Sequence, residues 1–215
     1  MNVRGLPEPQ GLYTPENEHD NCGVGFLANI KNRKSHEIIR QGLQILVNLD
    51  HRGAVGADPL AGDGAGILLQ IPDRLFREDC ADKGITLPAV GDYAVGMIFL
   101  PQDAETTAQC IEAMEQVIRN EGQICLGWRD VPVDNSCLGE SVKPDEPRIR
   151  QVFVARGPKT PDQQAFERKL FVIRKTTHRA VWKSADEAPK AFYITSMSTR
   201  TIVYKGMVLS GNLSN

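Results

Sequence analysis

The order of helix-like and strand-like segments is the feature that most constrains the fold of this chain. Apolar residues at helical spacing predict helices over residues 35–50 and 104–120 and a third helix from Thr160 onward. Apolar runs predict strands over residues 23–30, 67–71, 93–100, 124–133, 148–155, 191–197 and 201–209, and we expect 67–71 to be buried. Since helices and strands do not alternate strictly, the order predicts an α+β sandwich rather than a doubly wound parallel sheet.

Each predicted helix has one apolar face. Ser35 can cap the first helix, and Pro161 suits the first turn of the third. The apolar positions are Ile38, Ile45, Leu46 and Leu49 in the first helix, Cys110, Ile111, Met114, Val117 and Ile118 in the second, and Phe166, Leu170, Ile173, Thr177 and Val181 in the third.

Size and charge limit the classes of protein this chain can represent. At 215 residues it can bury a substantial core as one domain. Its net charge is −2, with both signs interspersed, so neither nucleic acid nor a membrane is expected as a partner. No apolar run reaches the roughly 18 residues that cross a bilayer. Residues 1–20 lack the basic and apolar regions of a signal peptide, so we expect a cytoplasmic protein.

The cysteines do not form a recognisable framework. Cys22, Cys80, Cys110, Cys125 and Cys137 are an odd number at irregular spacing, and no C-x-x-C pair occurs. This pattern argues against disulfides and against a zinc site, so we expect reduced thiols and no bound metal. All but Cys22 are expected to be structural thiols.

Cys22 lies where a polar leader, residues 1–21, meets an apolar segment. It is either a nucleophile or an ordinary buried thiol, and no histidine stands in a recognisable cysteine-protease context. One arrangement needs no histidine. If the bond between Asn21 and Cys22 is cut, the new α-amino group lies beside the thiol, and its pKa of about 8 makes it a usable base. The leader would then be a propeptide.

Two further segments allow more than one interpretation. The spacing Gly62-x-Gly64-x-Gly66 resembles a phosphate loop, but a strand follows it instead of a helix, which favours a tight turn with close backbone packing. Arg52 follows the first predicted helix. It could bind a carboxylate through paired hydrogen bonds or be an exposed residue at a helix end.

Several motifs together resemble one family. They are Asn17-Glu18-His19-Asp20-Asn21-Cys22-Gly23-Val24-Gly25-Phe26, Asp50-His51-Arg52-Gly53-Ala54 through Gly62-Asp63-Gly64-Ala65-Gly66-Ile67, Gly127-Trp128-Arg129 with Val131-Pro132, and Thr199-Arg200-Thr201-Ile202-Val203-Tyr204-Lys205-Gly206-Met207. In this order they resemble the N-terminal class II glutamine amidotransferase domain, an N-terminal-nucleophile hydrolase, of the glutamate synthase large (α) chain. The glycine-rich and Tyr-Lys-Gly-Met segments favour glutamate synthase over other class II amidotransferases.

The resemblance implies a four-layer αββα fold and hydrolysis of the glutamine amide to glutamate and ammonia. It implies that residues 1–21 are a propeptide and that residues 22–215 are the N-terminal part of the amidotransferase domain. Cys22 becomes the first residue and the nucleophile, and Arg52 lies in a loop near it, where it either binds the substrate or supports residues that do. No cofactor is implied for this chain.

For the full-length enzyme, the resemblance implies transfer of the ammonia to 2-oxoglutarate in a synthase domain. That domain uses FMN and a 3Fe-4S cluster, with NAD(P)H or ferredoxin as electron donor. The implied partners of this chain are the remainder of the large chain and a small subunit.

The family's glutamine-binding Arg-Tyr-Ser-Thr-Asn segment and its oxyanion-hole Asn-Gly pair do not occur in these 215 residues. Loss of a single oxyanion-hole donor lowers the rate about 100- to 1000-fold. We therefore expect an incomplete sandwich and an inactive isolated chain. The alternative is a non-catalytic remnant or an interaction module with the same partial fold.

Overall fold

The computed structural model describes residues 8–11, 14, 23–49, 60, 62, 64–184 and 191–214. Within them lie the helices α1 (His36–Asn48), α2 (Asp73–Ala81), α3 (Ala104–Asn120) and α4 (Gln163–Ser184), and the strands β1 (Ala65–Gln70), β2 (Tyr93–Leu100), β3 (Ile124–Asp130), β4 (Arg148–Ala155), β5 (Tyr193–Ser198) and β6 (Thr201–Gly206). Short 3-10 helices cover Lys143–Asp145 and Ser210–Ser214. The larger of two compact units is Gly66–Gly206, and the smaller combines Met1–Ala65 with Met207–Asn215.

A four-stranded antiparallel sheet forms the centre of the larger unit. Its order is β3-β4-β2-β5, with Ala94 of β2 opposite Val154 of β4 and Ile98 of β2 opposite Ile194 of β5. Strand β2 is apolar along almost its whole length because side chains on both of its faces are buried. The sheet therefore has two packed faces.

Helices α3 and α4 pack on one face of this sheet. The shared core contains Ala94, Ile98 and Leu100 of β2, Val152 and Val154 of β4, Cys110, Met114, Val117 and Ile118 of α3, and Phe166, Leu170, Ile173 and Val181 of α4. Helix α3 begins at Asp103, whose side chain accepts a hydrogen bond of 2.7 Å from the Thr106 backbone N–H. It ends before Gly122, which has a φ of +73°.

The opposite face of the sheet packs against β1, β6 and α2. Val95, Met97 and Phe153 point to this side and join Ile202 of β6 and Phe76 and Cys80 of α2 in a second core. Phe76 and Phe153 meet edge to face, with ring centroids 5.4 Å apart. Strands β1 and β6 pair with each other in a separate two-stranded sheet.

The structure confirms a mixed α and β fold with an antiparallel sheet. Strands β2 and β4 and helix α3 have the predicted bounds. All five apolar positions predicted on α4 are buried. Ser35 occupies the N-cap position of α1, as predicted, but its side chain makes no capping hydrogen bond.

The strand predicted over residues 23–30 is wrong. Residues 23–29 have no regular secondary structure, residue 30 lies in a turn, and Val24, Phe26 and Ile30 are almost fully exposed. A β-rich composition yields a strand only where a neighbouring strand supplies hydrogen bonds and a packing surface. No strand within the described residues pairs with this segment.

Two smaller differences separate the predicted elements from the observed ones. Strand β1 is not buried, because burial alternates along it and Leu68 is 65% exposed; only one of its faces meets the core. Helix α2 was not predicted, because it places only Phe76 and Cys80 in the core, and its other residues are mostly charged. The spacing of four between these two residues was the available signal.

Candidate functional site

The two site residues predicted from the sequence, Cys22 and Arg52, lie outside the described residues, and so does most of the leader 1–21. The structure does describe Gly23, which follows Cys22, and Leu49, which lies three residues before Arg52, and these two contact each other within the smaller unit. A Cβ atom added to Gly23 would lie 3.1 Å from the Cβ of Leu49. Gly23 directly follows Cys22, and Leu49 precedes Arg52 by three residues, a length of chain that reaches at most about 10 Å.

Gly25 makes a second and closer approach to α1. A Cβ atom at this position would lie 2.5 Å from Cγ2 of Ile45, so any larger residue would force the segment away from the helix. Gly23 and Gly25 are two residues apart in an extended chain, about 6.6 Å. Leu49 and Ile45 are four residues apart on one helix face, about 6 Å. The matched spacings explain why glycines stand at both positions.

The glycine-rich segment before β1 packs closely against backbone, as the turn interpretation predicts. A Cβ atom on Gly62 would lie 2.6 Å from the carbonyl oxygen of Val208, and one on Gly66 would lie 3.1 Å from that of Tyr204. Strand β1 follows at Ala65. The described part of this segment therefore does not present a helix N-terminus to a phosphate group.

The cysteines within the described residues are free thiols. Burial raises the pKa of Cys110 and of Cys125 to about 11 in each case. Burial also raises the pKa of Cys80 above its usual value. These three thiols stay protonated at neutral pH, which makes them poor nucleophiles and agrees with the structural role predicted for them.

The sequence did not predict a polar cluster that joins the buried Arg129 and Gln151 to the half-buried Tyr204 and Asp79. Arg129 donates from Nη1 to Oε1 of Gln151 at 2.6 Å, and Gln151 donates from Nε2 to the Tyr204 hydroxyl at 3.2 Å. Arg129 also forms an ion pair with Asp79 through its Nε. Two sequence motifs, one containing Arg129 and one containing Tyr204, thus meet through Gln151.

The shifted pKa values in this cluster keep its ionisable side chains in one protonation state near neutral pH, which does not suit proton transfer. Hydrogen bonds from Lys83 and from Arg129 lower the pKa of Asp79 below its usual value. Burial raises the pKa of Tyr204. Asp79 is therefore ionised and Tyr204 neutral at physiological pH, so the cluster links β3, β4, β6 and α2 as a structural network.

The described residues contain neither a cluster of metal ligands nor a membrane-spanning helix. No group of three or more His, Cys, Asp or Glu side chains among them could hold a metal ion. None of the helices they form is long and apolar enough to cross a bilayer.

Comparison with known proteins identifies the family. The sequence profile of the family described as "Glutamine amidotransferases class-II" matches residues 22–215. The chain is 44% identical over 209 residues, or 97% of its length, to the glutamate synthase [NADPH] large chain of Bacillus subtilis. It is 40% identical over 94% of its length to the glutamate synthase [NADH] of Schizosaccharomyces pombe. Over 94% of its length it is 38% identical to the chloroplastic ferredoxin-dependent glutamate synthase 2 of Arabidopsis thaliana.

The chain covers 13%, 10% and 12% of the length of these three relatives, respectively. The family match extends over nearly the whole chain and begins at Cys22 itself. This chain belongs to the class II glutamine amidotransferases.

Proposed function

We propose that this chain is the glutaminase part of a glutamate synthase. As part of the complete enzyme it would hydrolyse the side-chain amide of glutamine to glutamate and ammonia, and the ammonia would serve glutamate biosynthesis. The observation that carries the proposal is the start of the family match at Cys22, the residue that the sequence indicates as a nucleophile behind a removable leader. Similarity to glutamate synthases that use three different electron donors supports the same role.

In the proposed reaction, removal of residues 1–21 makes Cys22 the first residue. Its α-amino group, with a pKa of about 8, accepts the thiol proton as the sulfur attacks the amide carbon. The amine then donates that proton to the departing nitrogen, which leaves as ammonia. A thioester between Cys22 and the glutamyl group remains, and water cleaves it to release glutamate and restore the thiol.

Arg52 is the proposed substrate-binding residue. Its guanidinium group can form two parallel hydrogen bonds with the α-carboxylate of glutamine. The contact between Gly23 and Leu49 supports this assignment, because it brings the residue after Cys22 near the chain that leads to Arg52. A lysine at this position would keep the charge but lose the paired geometry.

The finer architecture and the reaction partners are also proposals. The complete domain would be a four-layer αββα sandwich, in which further chain would cover the exposed apolar side chains of segment 23–30. The remainder of the large chain would supply FMN and a 3Fe-4S cluster, and a small subunit or ferredoxin would deliver electrons. A cytoplasmic location stays a prediction, since one of the relatives is named as chloroplastic.

Reaction with a glutamine-analogue diazoketone, followed by intact-mass and peptide analysis, tests the proposal. We expect chains that lack residues 1–21 to gain one label, at Cys22. Cys22→Ala should abolish the labelling, whereas the control Cys137→Ala should leave it unchanged. Arg52→Lys should slow it at least about tenfold at low reagent concentration, because the α-carboxylate is bound less well.

Two results would count against the proposed function. Equal labelling of all accessible thiols would indicate that the reagent reacts without recognition, as expected of a non-catalytic module. Selective labelling of chains that still carry Met1 would refute the role of the α-amino group, since that amine would then be part of a peptide bond.

A further inference from the structure

Helix α4 has an exposed face that the proposed reaction does not use. The buried positions of the helix, from Phe166 to Val181, all lie on the side that meets the sheet. The opposite side presents residues spaced three, four or seven apart, and we call them the basic–aromatic face: Arg168, Phe171, Lys175, His178, Arg179 and Trp182. Phe171 is 60% exposed and Trp182 is 45% exposed, which is unusual for large aromatic side chains.

The charge of α4 differs from that of the rest of the chain. The helix contains six Lys and Arg residues and one acidic residue, Glu167, whereas the whole chain has a net charge of −2. The other helices of the larger unit pair basic residues with acids one turn away, for example Arg77 with Asp73 and Arg119 with Glu115. Helix α4 has no such pair among its described side chains.

The acidic residue of α4 is already engaged. Glu167 accepts hydrogen bonds from the backbone N–H of Thr199 at 2.8 Å and from the hydroxyl of Ser198 at 3.0 Å, which fixes the turn between β5 and β6. Within the described residues no carboxylate forms an ion pair with Lys175 or Arg179, although these two lie one helical turn apart. Like charges at this spacing repel each other, so an acidic partner would relieve a cost present in the free chain.

Each aromatic ring of this face contacts another side chain of the same face. The Nζ atom of Lys175 is 5.8 Å from the ring centroid of Phe171. His178 stacks on Trp182, with centroids 5.1 Å apart and an angle of 18° between the ring planes. The face therefore offers fixed apolar surface and positive charge together, which suits a partner that carries both apolar side chains and carboxylates.

A groove lies at the N-terminal end of this face. It has a volume of about 460 Å³ and is lined by Gln164, Glu167, Arg168, Phe171, Val172 and Arg200. Arg200, like Arg168, forms no ion pair with a carboxylate of the described residues. The lining combines two apolar side chains, two guanidinium groups and the engaged carboxylate of Glu167, and the volume is large enough for one apolar side chain.

We propose that the basic–aromatic face of α4 is a docking surface for an acidic polypeptide segment. Carboxylates of the segment would pair with Arg168, Lys175 and Arg179, and an apolar side chain would enter the groove on Phe171. Charge complementarity carries this choice, because several cations that form no ion pair within the described residues lie on this face beside two exposed aromatic rings.

Two other polyanionic surfaces fit less well. A helix that binds a membrane inserts its apolar face into the lipid, but the apolar face of α4 is already buried against the sheet. A nucleic acid would extend beyond α4 over the rest of the chain. Outside α4 the acidic residues outnumber the basic ones, so most phosphates of the nucleic acid would be repelled.

The test uses the whole 215-residue chain and a fluorescein-labelled peptide of about 15 residues built from the repeat Glu-Glu-Leu, with fluorescence anisotropy as the readout. We expect saturable binding that weakens as the salt concentration rises from about 50 to about 300 mM. Lys175→Glu with Arg179→Glu should weaken it at least about tenfold. The matched control, Lys31→Glu with Lys34→Glu, makes the same change of charge on exposed residues elsewhere and should change it less than about twofold.

A second variant pair, Lys175→Gln with Arg179→Gln, removes charge without reversing it and should reduce binding by a smaller factor while the circular dichroism stays unchanged. Absence of saturable binding would overturn the proposal, and so would equal loss in the α4 variant and its control. Binding to phosphatidylserine vesicles or to a single-stranded oligonucleotide that exceeds binding to the peptide would also overturn it, because a different partner class would then occupy the face.

Discussion

The two faces of the central sheet are covered by different chemistry. On the helix side, α3 and α4 meet the sheet almost entirely through apolar side chains. On the strand side, the core that β1, β6 and α2 form with the sheet encloses the polar cluster of Arg129, Gln151, Tyr204 and Asp79. Apolar packing has little directionality, whereas a buried hydrogen-bond network tolerates only one arrangement. The helix side therefore supplies stability, and the strand side fixes how the layers align.

The largest effect is expected on the helix side. Leu170→Ala removes a fully buried side chain from the core between α4 and the sheet. The lost transfer free energy and the cavity should together lower the free energy of unfolding by about 3 kcal/mol. Urea denaturation followed by circular dichroism measures this change.

The matched control for this prediction is Leu68→Ala, the same substitution on the exposed side of β1, where Leu68 is 65% exposed. It should change the free energy of unfolding by less than about 0.5 kcal/mol. Similar losses at both positions would mean that helix-side packing is not the larger contribution to stability.

On the strand side, Asp79→Ala tests whether the polar cluster depends on its ion pair. The substitution leaves the buried guanidinium group of Arg129 without its carboxylate partner. Fully buried pairs cost about 3–5 kcal/mol when broken, and we expect about 2 kcal/mol here, because the Asp79 side chain is 29% exposed. The control is Asp130→Ala, which breaks the pair between Arg150 and a carboxylate that is 71% exposed and should cost less than about 1 kcal/mol.

The pH dependence of stability reports on Asp79 together with both of its basic partners, Lys83 and Arg129. The pKa of Asp79 is lower in the folded chain than in the unfolded chain, chiefly through hydrogen bonds from Lys83 and Arg129. The stabilisation is therefore fully present above the unfolded pKa of about 3.9 and disappears as the pH falls through the folded pKa. Asp79→Ala should lose this part of the acid dependence and Asp130→Ala should retain it; the same acid profile in both would contradict the assignment.

The same contrast explains how much could be predicted from the sequence. Helical periodicity predicted the buried positions of α3 and α4, because residues three and four apart share a face whatever the rest of the fold does. The partners in the polar cluster are separated by 50 residues for Asp79 and Arg129 and by 53 for Gln151 and Tyr204. No local pattern encodes such pairs. The sequence marked Arg129 and Tyr204 only through a resemblance.

In the candidate site, too, local residue chemistry could be interpreted from the sequence, whereas contacts between distant segments could not. The roles proposed for Cys22 and Arg52 rest on residue chemistry and motif resemblance alone, since both residues lie outside the described part of the chain. The docking of Gly23 and Gly25 on α1 could not be predicted, because small and apolar residues in an extended segment suggest a strand whenever the neighbouring surface is unknown. Here that surface is a helix.

The smallest expected effect concerns a polar atom on the otherwise apolar helix side. Thr177 of α4 is fully buried, and its hydroxyl has no hydrogen-bond partner in the part of the chain that the structure describes. Thr177→Val keeps the shape of the side chain and removes the unsatisfied group, so the free energy of unfolding should rise by about 1 kcal/mol. In contrast, the hydroxyl of Thr107 in α3 donates to the carbonyl oxygen of Pro101 at 2.6 Å. Thr107→Val should therefore lower it by about 1 kcal/mol. Urea denaturation of the two variants side by side checks the opposite signs, and a loss of stability in both would show that the Thr177 hydroxyl has a hydrogen-bond partner as well.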